Sequence, residues 1–202
     1  MAFAATWPGG KTGIVSMQFA DARADVVRAI NQRWLLKFWK SHRGGHRVPR
    51  WQAVEAENLS RMADNLSFLD VIPGDHGLRF QIRFHGATIG RVYGSPDCRG
   101  AILHESKAEP DRAQALAPYR HCVATGRPVY IIHDVADRAG RIVHYERLLL
   151  PFSRDGETAD RILASFEFIS PDGAFDGDDL MNSQVAPPKL QLLATIAPDA
   201  IG

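Results

Sequence analysis

Cysteine is scarce: the 202 residues hold only Cys98 and Cys122. Two isolated thiols make neither a disulfide framework nor a zinc site, and they fit a reducing compartment. Long apolar runs are missing as well. No stretch approaches the roughly 20 apolar residues that cross a bilayer. Met1 to Ala20 is broken by Pro8, Gly9, Gly10 and Gly13 and has no basic start, so it does not read as a secretion signal. The expectation is a cytoplasmic protein without a membrane anchor. Neither sign of charge dominates, with 24 Lys and Arg against 23 Asp and Glu. Nucleic acid calls for a basic face, so it is not an expected partner. There is no Gly-x-Ser-x-Gly nucleophile turn. Lys11 and Thr12 follow Gly10, but the leading glycine of a phosphate-binding loop falls on Ala5, and no strand precedes it. Internal repeats and low-complexity runs are also absent.

What is present is an average globular composition, 45% hydrophobic and 23% charged, enough for one domain with a substantial core. Residues 1–20 read as a loose arm. Asp21 to Ser41 carry Val26, Ile30, Trp34 and Phe38 at intervals of four, with Val27, Leu35 and Trp39 widening the stripe. That spacing predicts one long amphipathic helix, with Asp21 and Asp25 near its start, Lys37, Lys40 and Arg43 near its end, and Gly44-Gly45 stopping it. Its apolar stripe needs a cover: the domain's own sheet, or a second copy of the chain. Residues 21–45 are therefore read as a flanking helix and 46–170 as the domain proper.

A weaker helix is expected over Glu55 to Asp64. Ser67 to Ile72 and Leu78 to His85 alternate as strands, with Pro73-Gly74-Asp75 turning between them as a hairpin. Gly86 to Pro110 reads as short helices and loops, and Asp111 to Ala124 as a longer helix with Pro118 inside it. Val129 to Asp134, Ile142 to Pro151 and Arg161 to Ser170 are three further strands. Residues 171–202 form an extension in which Lys189 to Ile196 is apolar. Composition leaves open a docked helix or strand, or a partly disordered tail. Strands on both sides of a helical stretch specify an α+β fold with a five-stranded antiparallel sheet, short helices over one face and the amphipathic helix beside it.

Eight histidines invite a metal hypothesis. His144 and Glu146 share a strand face. His133 is roughly symmetric with His144 about the 137–140 turn, so the three form a weak facial metal candidate against the plain reading of a polar hairpin surface. His104, His121, Cys98 and Cys122 lie where a haem ligand would sit, yet nothing selects any of them. No cofactor is indicated, neither haem nor flavin.

The order of elements is that of a PAS domain, and the chain resembles a family of bacterial PAS-like proteins that often stand alone. The likeness is carried by Leu35-Leu36-Lys37-Phe38-Trp39, Arg43-Gly44-Gly45, Val48-Pro49, Phe68-Leu69-Asp70-Val71, Phe80 to Ile89, Tyr119 to Val129, Tyr145 to Pro151 and Ile162 to Ile169. It spans roughly residues 33–170, in family order. The resemblance implies a sensory or regulatory domain that binds a small ligand, pairs with a second copy through its flanking helix, and signals to a protein partner. It supplies no catalytic residue.

Within that reading, Phe80, Ile82, Phe84, Tyr93, Leu103, Tyr119 and Tyr145 are the expected ligand-lining residues. Val26, Ile30, Trp34, Phe38 and Trp39 are the expected homodimer or partner surface. Two other classes compete. One is a small cavity enzyme, an isomerase or dehydratase using a histidine or aspartate base. The other is an interaction module with a filled core. A buried His–Asp pair in the cavity would favour the enzyme; apolar walls with one or two hydroxyls would favour the sensor.

Overall fold

The computed structural model describes residues 17–75, 77–95, 97–184 and 186–198. The Lys11-Thr12 pair and the start of the expected arm lie outside the described residues. Seven strands run β1 (Ala20–Ala22), β2 (Leu66–Ile72), β3 (Arg79–His85), β4 (Val129–Ala136), β5 (Ile142–Phe152), β6 (Arg161–Ile169) and β7 (Lys189–Ile196). Four α-helices accompany them: α1 (Ile30–Arg43), α2 (Gln52–Ala56), α3 (Ala87–Val92) and α4 (Asp111–Thr125). The strands form one sheet in the order β1-β7-β4-β5-β6-β2-β3. All neighbours are antiparallel except the β1–β7 edge pair.

The fold class is α+β as expected, but the sheet has seven strands and is mixed, not five and antiparallel. The five expected strands are there, and the β2–β3 hairpin sits beside β6 as the pattern implies. The two additional strands come from the chain's outer segments. Lys189–Ile196 pairs along β4, and Ala20–Ala22 then pairs in parallel with Ala194–Ile196.

That edge pairing also explains why the flanking helix is shorter than its periodicity suggests. It begins at Ile30, not near Asp21. Ala20–Ala22 is committed to β7, and Ala24–Val26 is a 3-10 turn ending on an extended Val27. Asp21 does not cap a helix; its carboxylate accepts from Arg127 at 2.7 Å.

Both faces of β5 are buried, which divides the interior in two. On one face Glu146, Leu148, Leu150 and Phe152 meet α1. Leu35, Leu36, Phe38 and Trp39 of the helix pack there with Tyr130, Ile132 and Leu163. On the other, Val143, Tyr145 and Leu149 meet α3 and α4 through Ile89, Val92, Leu116, Tyr119 and Cys122. Pro118 is tolerated within α4, which ends at Gly126 in the left-handed conformation (φ 65°), its N–H donating to the Cys122 carbonyl.

Two polar contacts fix α1 over the sheet. The Trp39 indole donates to the Pro151 carbonyl at 2.6 Å, and the fully buried Gln32 amide donates to the carbonyls of Glu146 and Ser165. Burying such groups is favourable only when each finds a partner. Trp39→Phe keeps most of the apolar volume but leaves the Pro151 carbonyl without its donor. Urea unfolding should show a loss of about 2 kcal/mol.

Candidate functional site

The face of β5 turned toward α4 carries Tyr145, Arg147 and Leu149 in alternation. Over this face, between β4, β5, β7 and α4, lies a cavity of about 350 Å³. Ile131, Leu190 and Leu193 come from the sheet and Ala115 and Pro118 from α4; Pro187, Pro188 and Met181 close the side before β7. The polar wall includes Tyr93, His104, Lys107, Asp111, His133, Tyr145 and Arg147, with Gln114 and Gln184 beside them. A recess of about 60 Å³ opens behind Tyr93, His104 and Lys107, bounded by Ile82, Leu103, Tyr119 and Phe166.

Arg147 is the centre of the polar wall. Its strand partners are Ile131 and Phe166. The guanidinium hydrogen-bonds the Tyr119 phenol and lies 5.2 Å from the centroid of the Tyr145 ring. Burial opposes its charge, while the neighbouring tyrosine oxygens, with the hydrogen bond to Tyr119, favour it, and the guanidinium keeps its proton. Tyr145 stacks between Phe166 and Phe168, and its hydroxyl meets the Tyr93 hydroxyl at 2.6 Å. Burial raises the pKa of both phenols, so they remain neutral donors and acceptors.

His133 and His104 face the same space. Burial, reinforced by nearby cations, pulls each down to about 3, so both imidazoles are neutral near pH 7. His104 adopts φ 56°, a left-handed conformation that disfavours side-chain residues.

The residues expected from the sequence to line a ligand site are distributed over different places in the structure. Tyr93 and Tyr145 line the cavity, Ile82, Leu103 and Tyr119 line the recess, and Phe80 is buried in the core against Tyr119. Phe84 is a correction. A register shift opposite Phe68/Leu69 inserts Arg83 as an extra residue, so Phe84 turns to the α1 side and packs on Phe68. The metal candidate is a second correction. The register pairs Asp134 with His144 and His133 with Tyr145, which puts His133 on the cavity side and His144 and Glu146 on the other. There His144 bonds Asp134 at 2.8 Å, and Glu146 accepts from the Tyr130 hydroxyl at 2.6 Å. No metal-binding cluster of three occurs among the described residues.

His121 is stacked on Phe19 and bonded to Thr195. Cys122 is fully buried, its thiol pKa pushed up by desolvation, and Cys98 is shifted the same way. Of the helix residues, Trp39 and Phe38 are buried in the α1 core and Val26 packs at its margin, whereas Ile30 and Trp34 are exposed. Arg147, His133 and Lys107 were missed as cavity residues. The available signal was an arginine centred in the otherwise apolar strand Tyr145 to Pro151.

The match to known proteins agrees with this architecture. The model of the PAS domain family matches residues 27–167, and the chain belongs to that family. It is accordingly a PAS-like sensory domain. Among solved structures, the LOV protein of Rhodobacter sphaeroides is similar, with 16% identity and a TM-score of 0.39. That alignment covers 54% of this chain and 60% of the other, less than two thirds of its length. A comparison with curated proteins gives no match. No described helix is long and apolar enough to cross a membrane.

The neutral histidines make stability depend on pH. His85, His104, His121 and His133 all have folded pKa values below the ordinary 6.5, so below that pH the unfolded chain binds more protons and acid favours unfolding. Glu167, raised by burial, works in the opposite direction at lower pH. The urea midpoint should therefore fall as pH drops from 7 toward 5. A His104→Gln, His133→Gln double variant should flatten that dependence.

Proposed function

We propose that this PAS domain is a ligand-responsive regulatory module whose small molecule occupies the 350 Å³ cavity between β4, β5, β7 and α4. The supporting observation is the composition of that space. It falls within the range of small-molecule sites, about 300–1,000 Å³. Apolar residues from two strands and one helix surround a few convergent polar groups. The wall is more polar than a filled-core interaction module needs. No His–Asp pair within hydrogen-bonding distance lines it among the described residues, which favours binding over general-base chemistry.

Native mass spectrometry and an absorption spectrum of the purified protein would detect a retained ligand or cofactor. A ligand at a hundredfold excess over its Kd stabilises by about 2.7 kcal/mol, which raises Tm by about 5–10 °C for a chain of this size. Ala115→Trp should fill the cavity and abolish the response while the protein remains folded. A response that survives this substitution would move the ligand elsewhere.

We also propose that the outer side of α1 joins two copies of the domain. Ile30 and Trp34 lie one turn apart and are 76% and 41% exposed, and their apolar surface is otherwise left to water. In light scattering, Ile30→Glu with Trp34→Glu should convert a dimer to a monomer. A dimer unchanged by the pair, or a monomeric parent, removes this reading.

A further inference from the structure

We propose that the cavity is built for an organic monocarboxylate, a small anion with an apolar body, and that Arg147 is the residue that recognises its carboxylate. The inference rests on the reading of this cavity as the ligand site, and adds the chemical class of the ligand.

The first argument is an inversion in how the arginines are paired. Several surface arginines have carboxylate partners: Arg79 meets Glu105, Arg83 meets Asp70, and Arg154 meets Asp160. Arg147, half-buried on the cavity wall, forms no ion pair among the described residues. Its Nε is shut away from solvent without a hydrogen-bond partner. Physical chemistry demands the reverse, because a buried cation is costly unless it is paired, while a surface pair contributes little. A guanidinium is a planar fork matched to two carboxylate oxygens, and Arg147 is one of the residues that line the cavity. His133 lines it as well, and its Nδ1 is likewise buried without a partner. As a neutral imidazole it adds no charge to the wall.

The second argument is the charge balance of the wall. Arg147 and Lys107 are its cations, and Asp111 is the acid among its lining residues. Burial lowers the Lys107 pKa, and the field of Asp111 opposes that shift only in part. The two histidines and two tyrosines are neutral. One surplus positive charge remains, which one carboxylate neutralises. A phosphate dianion would leave a negative charge uncompensated in a low-dielectric space. The remaining surface, formed by Ile131, Leu190, Leu193, Met181 and Pro118, requires a ligand body without further charge.

The test compares carboxylates with their uncharged amides on the full chain: phenylacetate, indole-3-acetate and octanoate against phenylacetamide, indole-3-acetamide and octanamide, by calorimetry and thermal shift. At least one carboxylate should bind about tenfold or more tightly than its amide, as expected for a charge-assisted fork. Arg147→Met should erase that preference. Arg147→Lys, which keeps the charge and loses the fork, should weaken the carboxylate about tenfold while leaving the amide unchanged. The lysine variant decides the matter if the methionine variant does not fold. Amides binding as well as acids would overturn the inference and leave the cavity as a ligand site. Inorganic phosphate binding in an Arg147-dependent way would overturn it in favour of a phosphate ligand. No response to any carboxylate up to about 10 mM would overturn it as well, since such a site would be weaker than the arithmetic of one charged fork allows. The cavity reading is then judged separately by the retained mass and the Ala115→Trp variant.

Discussion

Strand β5 has no solvent face, and the rest of the molecule follows from that. A strand buried on both sides must satisfy two different environments with alternate residues. Here Leu148, Leu150 and Phe152 belong to the α1 core, while Tyr145 and Leu149 belong to the α4 core. Each polar residue on it then needs a reason to be there. Glu146, on the α1 side, has one, because it accepts from Tyr130 beneath the helix. Arg147, on the other, is held by aromatic rings and a phenol, with no carboxylate. The protein maintains a buried charge at the base of a cavity, and the geometry of the neighbouring aromatics is what makes that tolerable.

Those aromatics also set the shape of the space. Tyr145 is stacked between Phe166 and Phe168 and tied to Tyr93 through paired hydroxyls. Its ring therefore has little freedom to fall into the cavity. His104 and His133 are kept uncharged by desolvation and by the neighbouring cations, so they add no positive charge beside Arg147 near pH 7. A preformed space with fixed polar positions lowers the ordering cost of binding.

Much of the architecture was legible in the sequence. Alternation in Leu78 to His85, the Pro-Gly-Asp turn and the three later strands identified the central sheet, and ordered short motifs identified the family. The failures have specific causes. Phe84 was assigned by strict period two, and a single bulge at Arg83 reversed its face. His133 was paired with His144 by counting from the turn, and the true register differs by one residue, which sends the two to opposite faces. Phe38 and Trp39 were expected at a partner surface with Ile30 and Trp34, but they are buried against the sheet, because one stripe is wide enough to serve both sides of the helix. β7 was unreadable because a short apolar run does not reveal its neighbour. Only the exposed edge of β4, some 55 residues earlier in the chain, makes Lys189–Ile196 a strand. The cavity's cation was missed because propensity and periodicity describe the backbone and burial, whereas a lone buried arginine becomes meaningful only when its missing partner is visible.

β7 joins two roles that are usually separate. It closes the sheet against β4, yet Leu190 and Leu193 are also cavity wall. Among the described residues β1 lies outside it, held through three residue pairs. A short edge strand is the least protected part of a sheet against fraying. A molecule in the cavity would touch Leu190 and Leu193 of β7, so its occupancy would oppose the peeling of that edge.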